Sequence, residues 1–264
     1  MMRAAAVVVA MLITSCRADI ATTLGLARPE PGAPVEVDFL CDRSAGSTCT
    51  PARLQAAMQA TVPSAMARPG SKLRLWDMGS RLEATQLIAS AKTPALLPNA
   101  RHQERAAAAF ERATIAQFVG ALGRHTVAAA PTASPIAASV TRIAWAGSDD
   151  HDRLLVLLTD GREFSRTTSK AVPRIDLECG TVDPVAATAA LQADGILTPK
   201  ALSRTDIVFA FVSVGPVDGD RCPASLARTR NALEFWRTGL AAAGARSITY
   251  STDSITLPPT WRVR

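Results

Sequence analysis

The sequence predicts a three-layer α/β fold, in which a doubly wound, mostly parallel sheet carries helices on both faces and ends in a short antiparallel edge strand. Short apolar stretches alternate along the chain with segments of helical periodicity, which is the pattern of βαβ units. Residues 153–159 and 206–214 are apolar almost throughout, as strands buried inside a parallel sheet are. The 264 residues and their 48% hydrophobic content suffice for one globular domain.

The first half of the chain predicts three strands and two helices. In chain order they are a strand at 35–41, a helix at 51–66, a strand at 72–78, an antiparallel edge strand at 83–89 and a long helix at 101–122. Thr50 is the expected N-cap of the first helix and Pro51 occupies its first turn, where proline is favoured. Leu54, Met58 and Val62 give this helix one apolar stripe.

The second half of the chain continues the alternation. We expect a helix at 135–145, a strand at 153–159, a short helix at 184–193, a strand at 206–214, a helix at 223–243 and a short strand at 247–250. Residues 165–184 are polar and predict an irregular segment. In the last helix, Trp236 and Leu240 are expected to face inward, together with Leu226, Ala232 and Leu233.

The N-terminus has the pattern of an export signal. A short basic segment precedes an apolar stretch at 4–13, which is too short to span a bilayer. The sequence Ile13-Thr14-Ser15-Cys16 resembles the lipobox of bacterial lipoproteins, which implies a signal peptide at 1–15 and lipidation of Cys16. The alternative is an ordinary cleaved signal peptide with a chance cysteine.

This interpretation defines the expected domain organisation and location. Residues 16–34 contain Pro, Ala and Gly without periodicity and predict a tether, followed by one domain at 35–255 and a tail at 256–264. Arg17 stands where an aspartate commonly retains lipoproteins in the inner membrane. We therefore expect a protein anchored in the cell envelope, in the outer membrane and facing the periplasm if the host is Gram-negative.

Four further cysteines predict disulfides, because an exported chain with an even number of cysteines usually pairs them. Three pairings are arithmetically open. We expect Cys41–Cys49, because these residues flank one loop, and Cys179–Cys222, because both follow predicted strands on the same side of the sheet. A four-cysteine zinc site is the alternative, but the C-x-x-C spacing typical of such sites does not occur.

Three loops with oxygen-bearing side chains follow strands or strand-like ends. They are Asp42-Arg43-Ser44-Ala45-Gly46-Ser47, then Thr132-Ala133-Ser134-Pro135-Ile136, and last Thr159-Asp160-Gly161. Ligands of open α/β sheets bind at the carboxyl ends of the strands. Carboxylates and hydroxyls there suit a hard cation, because Mg²⁺ takes oxygen ligands.

In order and spacing these loops resemble those of von Willebrand factor A (VWA) domains. That family has a strand ending in Asp-x-Ser-x-Ser, a middle loop often reading Gly-Gly-Thr-Pro-Leu, and an apolar strand ending in Thr-Asp-Gly. The resemblance covers roughly residues 35 to 255 and implies a Rossmann-like fold. It also implies that the three loops form a metal-ion-dependent adhesion site.

The resemblance assigns individual ligands. Asp42 and Ser44 match the first Asp and Ser, Ser134 matches the middle-loop Thr, and Asp160 matches the last Asp. The second Ser of the family falls on Gly46, and we take Ser47, one place later, as its substitute. The implied cofactor is Mg²⁺, and the implied partner is a protein that presents a carboxylate to the metal.

Composition and motifs weigh against two other classes of protein, namely nucleic-acid-binding proteins and enzymes. The net charge is +6, but the arginines are scattered and no basic run is interleaved with aromatics, so no nucleic-acid partner is expected. Nucleophile-elbow, P-loop and dinucleotide motifs are absent from the sequence, so we expect no enzyme. The alternative functions are a metal-free structural component of an envelope secretion or conjugation apparatus and, less favoured, an envelope hydrolase.

Overall fold

A computed structural model describes residues 32–43, 49–78, 84–97, 99–125, 135–148, 150–177, 179–210, 212, 222, 225–252 and 254–261. From Ala33 onward these residues belong to one compact unit. None of the helices in this described part is long and apolar enough to cross a membrane.

The elements of this unit follow the predicted alternation. The strands are β1 (Val35–Cys41), β2 (Lys72–Asp77), β3 (Gln86–Lys92), β4 (Asp152–Leu158), β5 (Phe164–Arg166), β6 (Arg174–Asp176), β7 (Thr205–Ala210) and β8 (Ser247–Ser251). The helices are α1 (Pro51–Met66), α2 (Ala100–Arg124), α3 (Ile136–Ala146), α4 (Pro184–Ala193) and α5 (Leu226–Ala242), and a 3₁₀ turn spans Pro259–Trp261.

Six strands form the main sheet, in the order β3-β2-β1-β4-β7-β8. Neighbouring strands are parallel except for β3, which runs antiparallel to β2 at one edge. Two apolar cores cover the faces: one holds residues of α1 and α2, and the other holds residues of α3, α4 and α5. The predicted fold class, including the antiparallel edge strand, is therefore confirmed.

Some element bounds differ from the prediction by a few residues, as for β3, which spans Gln86–Lys92 rather than 83–89, and two segments differ in kind. Residues expected to be irregular contain the antiparallel pair β5–β6, which forms a separate small sheet. Within the segment expected to be a tail, Trp261 is only 1% exposed and donates its indole N–H to Asp206 at 2.7 Å. The described part of that segment thus packs on the domain, because one large aromatic ring finds both an apolar site and a hydrogen-bond acceptor there.

β1 is buried along its whole length although it contains two acidic residues. Glu36 and Asp38 are fully buried and contact Arg74 of β2 and Arg153 of β4. We call these four residues the amino-end cluster, because they lie in the amino-terminal halves of their strands or, for Asp38, at the middle of its strand. Arg74 donates to Asp38 at 2.7 and 2.9 Å and to Glu36 at 2.8 Å. Each buried carboxylate therefore has a charged donor beside it, as burial of a charge requires.

Candidate functional site

The carboxyl ends of β1, β2 and β4 lie side by side. Cys41, the last residue of β1, is in register with Asp77 at the end of β2 and with Leu158 at the end of β4. The backbone N–H of the next residue, Asp42, donates to Leu158 at 3.1 Å. This edge of the sheet therefore brings Asp42, at the start of the first predicted loop, next to the strand that leads into the third, as expected for a doubly wound sheet.

Of the two predicted metal ligands that the structure describes, Asp42 is more enclosed than Asp160. Its side chain is fully buried, and one carboxylate oxygen accepts the hydroxyl hydrogen of Thr159 at 2.8 Å. The sequence analysis identified Thr159 as part of the third loop without assigning it a role. The structure makes it a direct neighbour of the buried carboxylate and fixes the position of that carboxylate relative to β4.

Asp160 follows Thr159 in a tight turn. Gly161 has φ of +77°, which is favourable for glycine because it lacks a Cβ. The carbonyl of Gly161 accepts the indole N–H of Trp236 at 2.7 Å. The carboxylate of Asp160 accepts the backbone N–H of Arg162 at 2.9 Å, and the guanidinium Nε of Arg162 lies 3.6 Å from it. The turn is thus held by backbone, indole and carboxylate contacts together.

Asp77 adds a second buried carboxylate at the end of β2. Arg43 Nε lies 4.0 Å from one of its oxygens and His125 Nε2 lies 3.1 Å from the other. Burial raises the pKa of Asp77; the charges of Arg43 and His125 oppose this, and the nearby charge of Asp42 adds to it. Arg43 also donates to the carbonyl of His125 at the end of α2. The arginine that follows Asp42 in sequence therefore extends towards Asp77 and α2.

Glu163 is a site residue that the sequence analysis missed. It is fully buried, accepts the backbone N–H of Ala137 at 2.9 Å and accepts the hydroxyl hydrogen of Ser165. Burial raises its pKa to about 7, against the hydrogen bonds that favour its charge, and the charge of Asp42 adds to the increase. It joins the first turn of α3 to the segment after β4. Its position three residues after Asp160 was visible in the sequence, but its burial was not.

These four acids, Asp42, Asp77, Asp160 and Glu163, form what we call the carboxyl-edge cluster. Of the predicted ligands, Asp42 and Asp160 belong to it, whereas Ser44, Ser47 and Ser134 lie outside the described residues, as does Cys16. Among the described residues no group of three or more His, Cys, Asp or Glu side chains is arranged to hold a metal. A metal at this edge would therefore depend on serine hydroxyls as well as on the two aspartates.

The donor chemistry of the edge suits a hard cation. Asp42 and Asp160 supply carboxylate oxygens and Thr159 supplies a hydroxyl bound to one of them. One carboxylate oxygen of Asp77 is buried and accepts no hydrogen bond from the described residues. That same oxygen lies 4.0 Å from Arg43 Nε. Carboxylate and hydroxyl oxygens fit Mg²⁺ better than they fit zinc, which favours nitrogen and sulfur ligands.

Both expected disulfides are present. Cys41 and Cys49 join the end of β1 to the residue before the N-cap of α1, with 5.4 Å between their Cα atoms. Cys179 and Cys222 join the segment after β6 to the segment before α5, with 5.3 Å between their Cα atoms. All four cysteines are thereby used, which excludes the four-cysteine zinc site and indicates an oxidising compartment.

Comparisons with known proteins give distant structural likenesses. No family model and no curated protein matches the chain. It is similar to the pilus adhesin SpaC from Lactobacillus rhamnosus GG, with a TM-score of 0.46 and 11% identity over 86% of this chain and 29% of the adhesin. It is also similar to a von Willebrand factor type A protein from Catenulispora acidiphila, with a TM-score of 0.34 and 14% identity over 81% of this chain and 43% of that one.

The chain thus spans less than half the length of either structure. At these TM-scores neither likeness defines a function. The class of the domain is defined by its own sheet order and by the acidic edge: it is a doubly wound α/β domain, with an antiparallel edge strand and buried carboxylates at the carboxyl ends of its central strands.

Proposed function

We propose that this protein is lipid-anchored in the cell envelope and mediates protein–protein interaction through a metal-ion-dependent adhesion site at the carboxyl edge of its sheet. The ligands of the Mg²⁺ ion would be Asp42, Ser44, Ser47, Ser134 and Asp160. When bound, the ion supplies a positive charge with an open coordination position for a carboxylate of the partner. The proposal assigns no chemical reaction to the site.

The observation that carries the proposal is the excess of buried acid at this edge. Burial raises the pKa of both Asp77 and Glu163, and the charge of Asp42 adds a smaller increase to each. Like charges held close together out of water destabilise one another, and groups with perturbed pKa values concentrate at functional sites. A divalent cation beside Asp42 would relieve this repulsion.

The proposed location has separate support. The lipobox-like sequence ending at Cys16 implies a lipidated cysteine, and two or more acyl chains would anchor the protein stably. The two disulfides are consistent with export to an oxidising compartment. An adhesion domain on such an anchor would reach partners in the envelope through the tether at 16–34.

A second candidate is a metal-free structural component of an envelope apparatus, and one observation favours it. Arg162 lies beside Asp160, and Arg43 lies beside Asp77. In this alternative the two guanidinium groups supply the positive charge that a metal would otherwise supply. The edge would then contribute architecture, and binding to a partner would not need a cation.

Calorimetric titration of the purified full chain with Mg²⁺ and Mn²⁺ tests the proposal. We expect saturable binding that is lost in Asp42→Asn. Asp152→Asn is the matched control, because Asp152 begins β4 and lies at the opposite end of that strand from the site. Binding that survives Asp42→Asn, or no binding by the unmodified chain, would contradict the adhesion site and favour the metal-free component.

A further inference from the structure

The two edge strands of the main sheet, β3 and β8, differ in how they are protected against further pairing. In β3 the register with β2 shifts between Leu75 and Trp76. Gln117 of α2 donates its side-chain amide to the carbonyl of Ser90 at 3.3 Å, and the exposed Lys92 ends the strand. Register shifts, covering groups and lysines are means by which proteins keep a further strand from joining a sheet.

β8 has none of these features. It reads Ser-Ile-Thr-Tyr-Ser over Ser247–Ser251, without charge or proline, and it pairs with β7 in continuous register. Among the described residues β7 is the only strand that pairs with it. The described residues that follow place Leu257 and Trp261 in the core beside α1 and α2 and form no strand next to β8. This end of the sheet therefore offers an edge to which a further strand can bind.

The backbone of β8 presents hydrogen-bonding groups on this outer side. The N–H of Arg246, just before β8, donates to the carbonyl of Thr205 in β7 at 2.8 Å. Because backbone groups point to the two sides of a strand in alternation, Ile248 and Tyr250 also direct theirs to β7, whereas Thr249 directs its N–H and C=O away from β7. The backbone of an extended chain is the natural partner for such groups.

A surface groove lies beside this edge, between β8 and α5. Its volume is about 390 Å³, and its lining residues are Tyr250 of β8 and Arg230, Leu233, Glu234 and Arg237 of α5. None of these residues belongs to β7. Phe209 of β7 stacks on Tyr250 from the inner side, with 5.2 Å between ring centroids, so the groove lies on the outer side of β8. A strand added to β8 would direct alternate side chains into it.

The groove combines apolar surface with a basic rim. Leu233 and Tyr250 are half-buried, and the tyrosine hydroxyl donates to the carbonyl of Leu233 at 3.1 Å, so they contribute mainly carbon surface. Burial raises the pKa of Tyr250 to about 12, and the charge of Arg237 opposes this, as expected for a guanidinium near the ring. Arg230, Glu234 and Arg237 are exposed and together carry one more positive than negative charge.

This charge decides between two possible occupants. A second copy of the chain bound through its own β8 would bring the same two arginines to the contact, and like charges repel across an interface. A segment with a carboxylate side chain would complement them. The edge and the groove together therefore fit an acidic, extended segment of another protein.

We propose that the outer edge of β8 binds an extended segment of an acidic partner protein, which adds a strand to the main sheet and places an apolar and an acidic side chain in the groove beside α5. The apolar side chain would contact Leu233 and Tyr250, and the carboxylate would contact Arg230 or Arg237. This interface needs no metal ion, so it is independent of the proposed adhesion site.

Fluorescence anisotropy of labelled peptides, with the full chain and EDTA present, tests this interface. The first probe is the heptapeptide Thr-Ile-Thr-Glu-Thr-Ile-Thr, whose isoleucine and glutamate side chains share one face when it is extended. We expect it to bind about tenfold more tightly than the same peptide with lysine in place of glutamate.

N-methylated peptides test the backbone pairing directly. One carries N-methyl groups on its threonines, and the other carries them on its isoleucines and glutamate, so that each blocks one of the two edges of the added strand. We expect one of these peptides to bind at least about tenfold more weakly than the other, because it cannot donate its backbone hydrogen bonds to β8.

Substitutions in the protein locate the binding. Thr249→Pro removes the outward N–H and should abolish binding; proline is tolerated on an edge strand where the N–H faces away from the sheet. Thr249→Ala retains the N–H and should bind as the unmodified chain does. Arg237→Gln should weaken binding of the glutamate peptide, whereas Arg166→Gln, at an exposed position of β5, should not. Thermal unfolding shows whether the proline variant folds, and the N-methylated peptides decide the question if it does not.

Several outcomes would overturn the interface. They are no binding of the glutamate peptide at about 1 mM, equal binding of the two N-methylated peptides, and equal binding by Thr249→Pro and Thr249→Ala. Sedimentation of the full chain tests the other occupant: a dimer that Thr249→Pro dissociates would assign the edge to a second copy. Because EDTA is present throughout, failure of the adhesion site would not mimic any of these results.

Discussion

The amino-end cluster and the carboxyl-edge cluster both place buried acids on or beside β1, and they differ in how those acids are compensated. At the amino end, burial alone would raise the pKa of Glu36, but Arg74, Arg153, Lys72 and the backbone of Ser148 outweigh it, and the pKa lies below its ordinary value. At the carboxyl edge, burial prevails and the pKa values of Asp77 and Glu163 are raised.

The two ends also differ in what holds them together. Ion pairs between strands join β1, β2 and β4 at the amino end. At the carboxyl edge a disulfide attaches the end of β1 to the start of α1. A second disulfide, Cys179–Cys222, joins the segment after β6 to the segment before α5. Cross-links can brace an edge without neutralising it. The comparison therefore indicates that ion pairs keep Glu36 of the first cluster charged, whereas burial shifts Asp77 and Glu163 of the second cluster towards their neutral forms.

The largest effect is expected from Arg74→Met at the amino end. Arg74 is bonded to both Glu36 and Asp38, so its removal leaves two buried carboxylates undercompensated. We expect the free energy of unfolding to fall by about 5 kcal/mol, the upper end for breaking a buried ion pair. Urea unfolding measures this loss.

Lys72→Met is the control, because Lys72 is half-exposed and its contact with Glu36 should contribute less than about 1 kcal/mol. Equal losses in the two variants would contradict the stabilising role of Arg74 in the amino-end cluster.

The second effect concerns the cross-links. Cys179 and Cys222 are separated by 43 residues and Cys41 and Cys49 by 8. Loop-closure entropy predicts losses of about 4 kcal/mol for Cys179→Ser/Cys222→Ser and about 2.5 kcal/mol for Cys41→Ser/Cys49→Ser. Urea unfolding of the two double variants under oxidising conditions tests whether the loss of the Cys179–Cys222 disulfide lowers stability more than the loss of the Cys41–Cys49 disulfide. A larger loss from the shorter loop would indicate that the disulfide at the end of β1 opposes strain at the acidic edge.

The third effect is a pH dependence from Glu163. Its carboxyl has an ordinary pKa of 4.5, which should apply in the unfolded chain, and a raised pKa of about 7 in the fold. Between these values only the unfolded chain releases the proton. The raised pKa of Glu163 therefore adds on the order of 3 kcal/mol to the free energy of unfolding. This contribution is present in full below pH 4.5 and is lost as the pH rises through about 7.

Glu163→Gln should remove this dependence. The amide can still accept the N–H of Ala137 and can donate to Ser165, so the fold around α3 is retained. Urea unfolding at pH 5 and pH 8 should show a smaller difference between the two pH values for Glu163→Gln than for the unmodified chain. Glu104→Gln, at an exposed position of α2, should behave as the unmodified chain; an unchanged pH dependence in Glu163→Gln would show that another group titrates.

The smallest stability effect is expected at Asp42, the proposed metal ligand. Asn at this position still accepts the hydroxyl of Thr159, and the variant loses a charge that repels Asp77 and Glu163. We expect less than about 1 kcal/mol of change without metal, as is typical where function rather than stability retains a residue. Asp38→Asn is the matched variant on β1 and should cost several times more. Similar losses from the two variants would remove the distinction between the clusters.

Much of the fold could be predicted because its signals are local. The bounds of β1, α1 and α4 agree with the prediction, since a proline in the first turn marks the start of both helices. The stripe of Leu54, Met58 and Val62 is fully buried, as helical periodicity indicated. The β5–β6 pair was missed because its three-residue strands are too short to show a period.

The candidate site could be predicted only in part. Motif order identified Asp42 and Asp160, because each directly follows a strand with a strong apolar signal. Glu163 carried no such signal, since its role arises from the backbone of α3, which it meets through a contact 26 residues apart in sequence. Leu226, expected to face inward, is 63% exposed, because the first turn of α5 extends beyond the core.

The sequence by itself indicated the alternation of strands and helices in the main sheet, the preferred pairing of the cysteines and the end of the sheet that carries the motif acids. Only the tertiary structure decided what each acid does. Glu36, Asp38 and Asp42 lie within seven residues of one another. Yet the cations of the first two come from 36 and 117 positions away, while Asp42 accepts a hydrogen bond from Thr159 and acts electrostatically on Asp77 and Glu163. The free energy of a buried charge depends on the charges around it in space, and those are set by how the strands assemble.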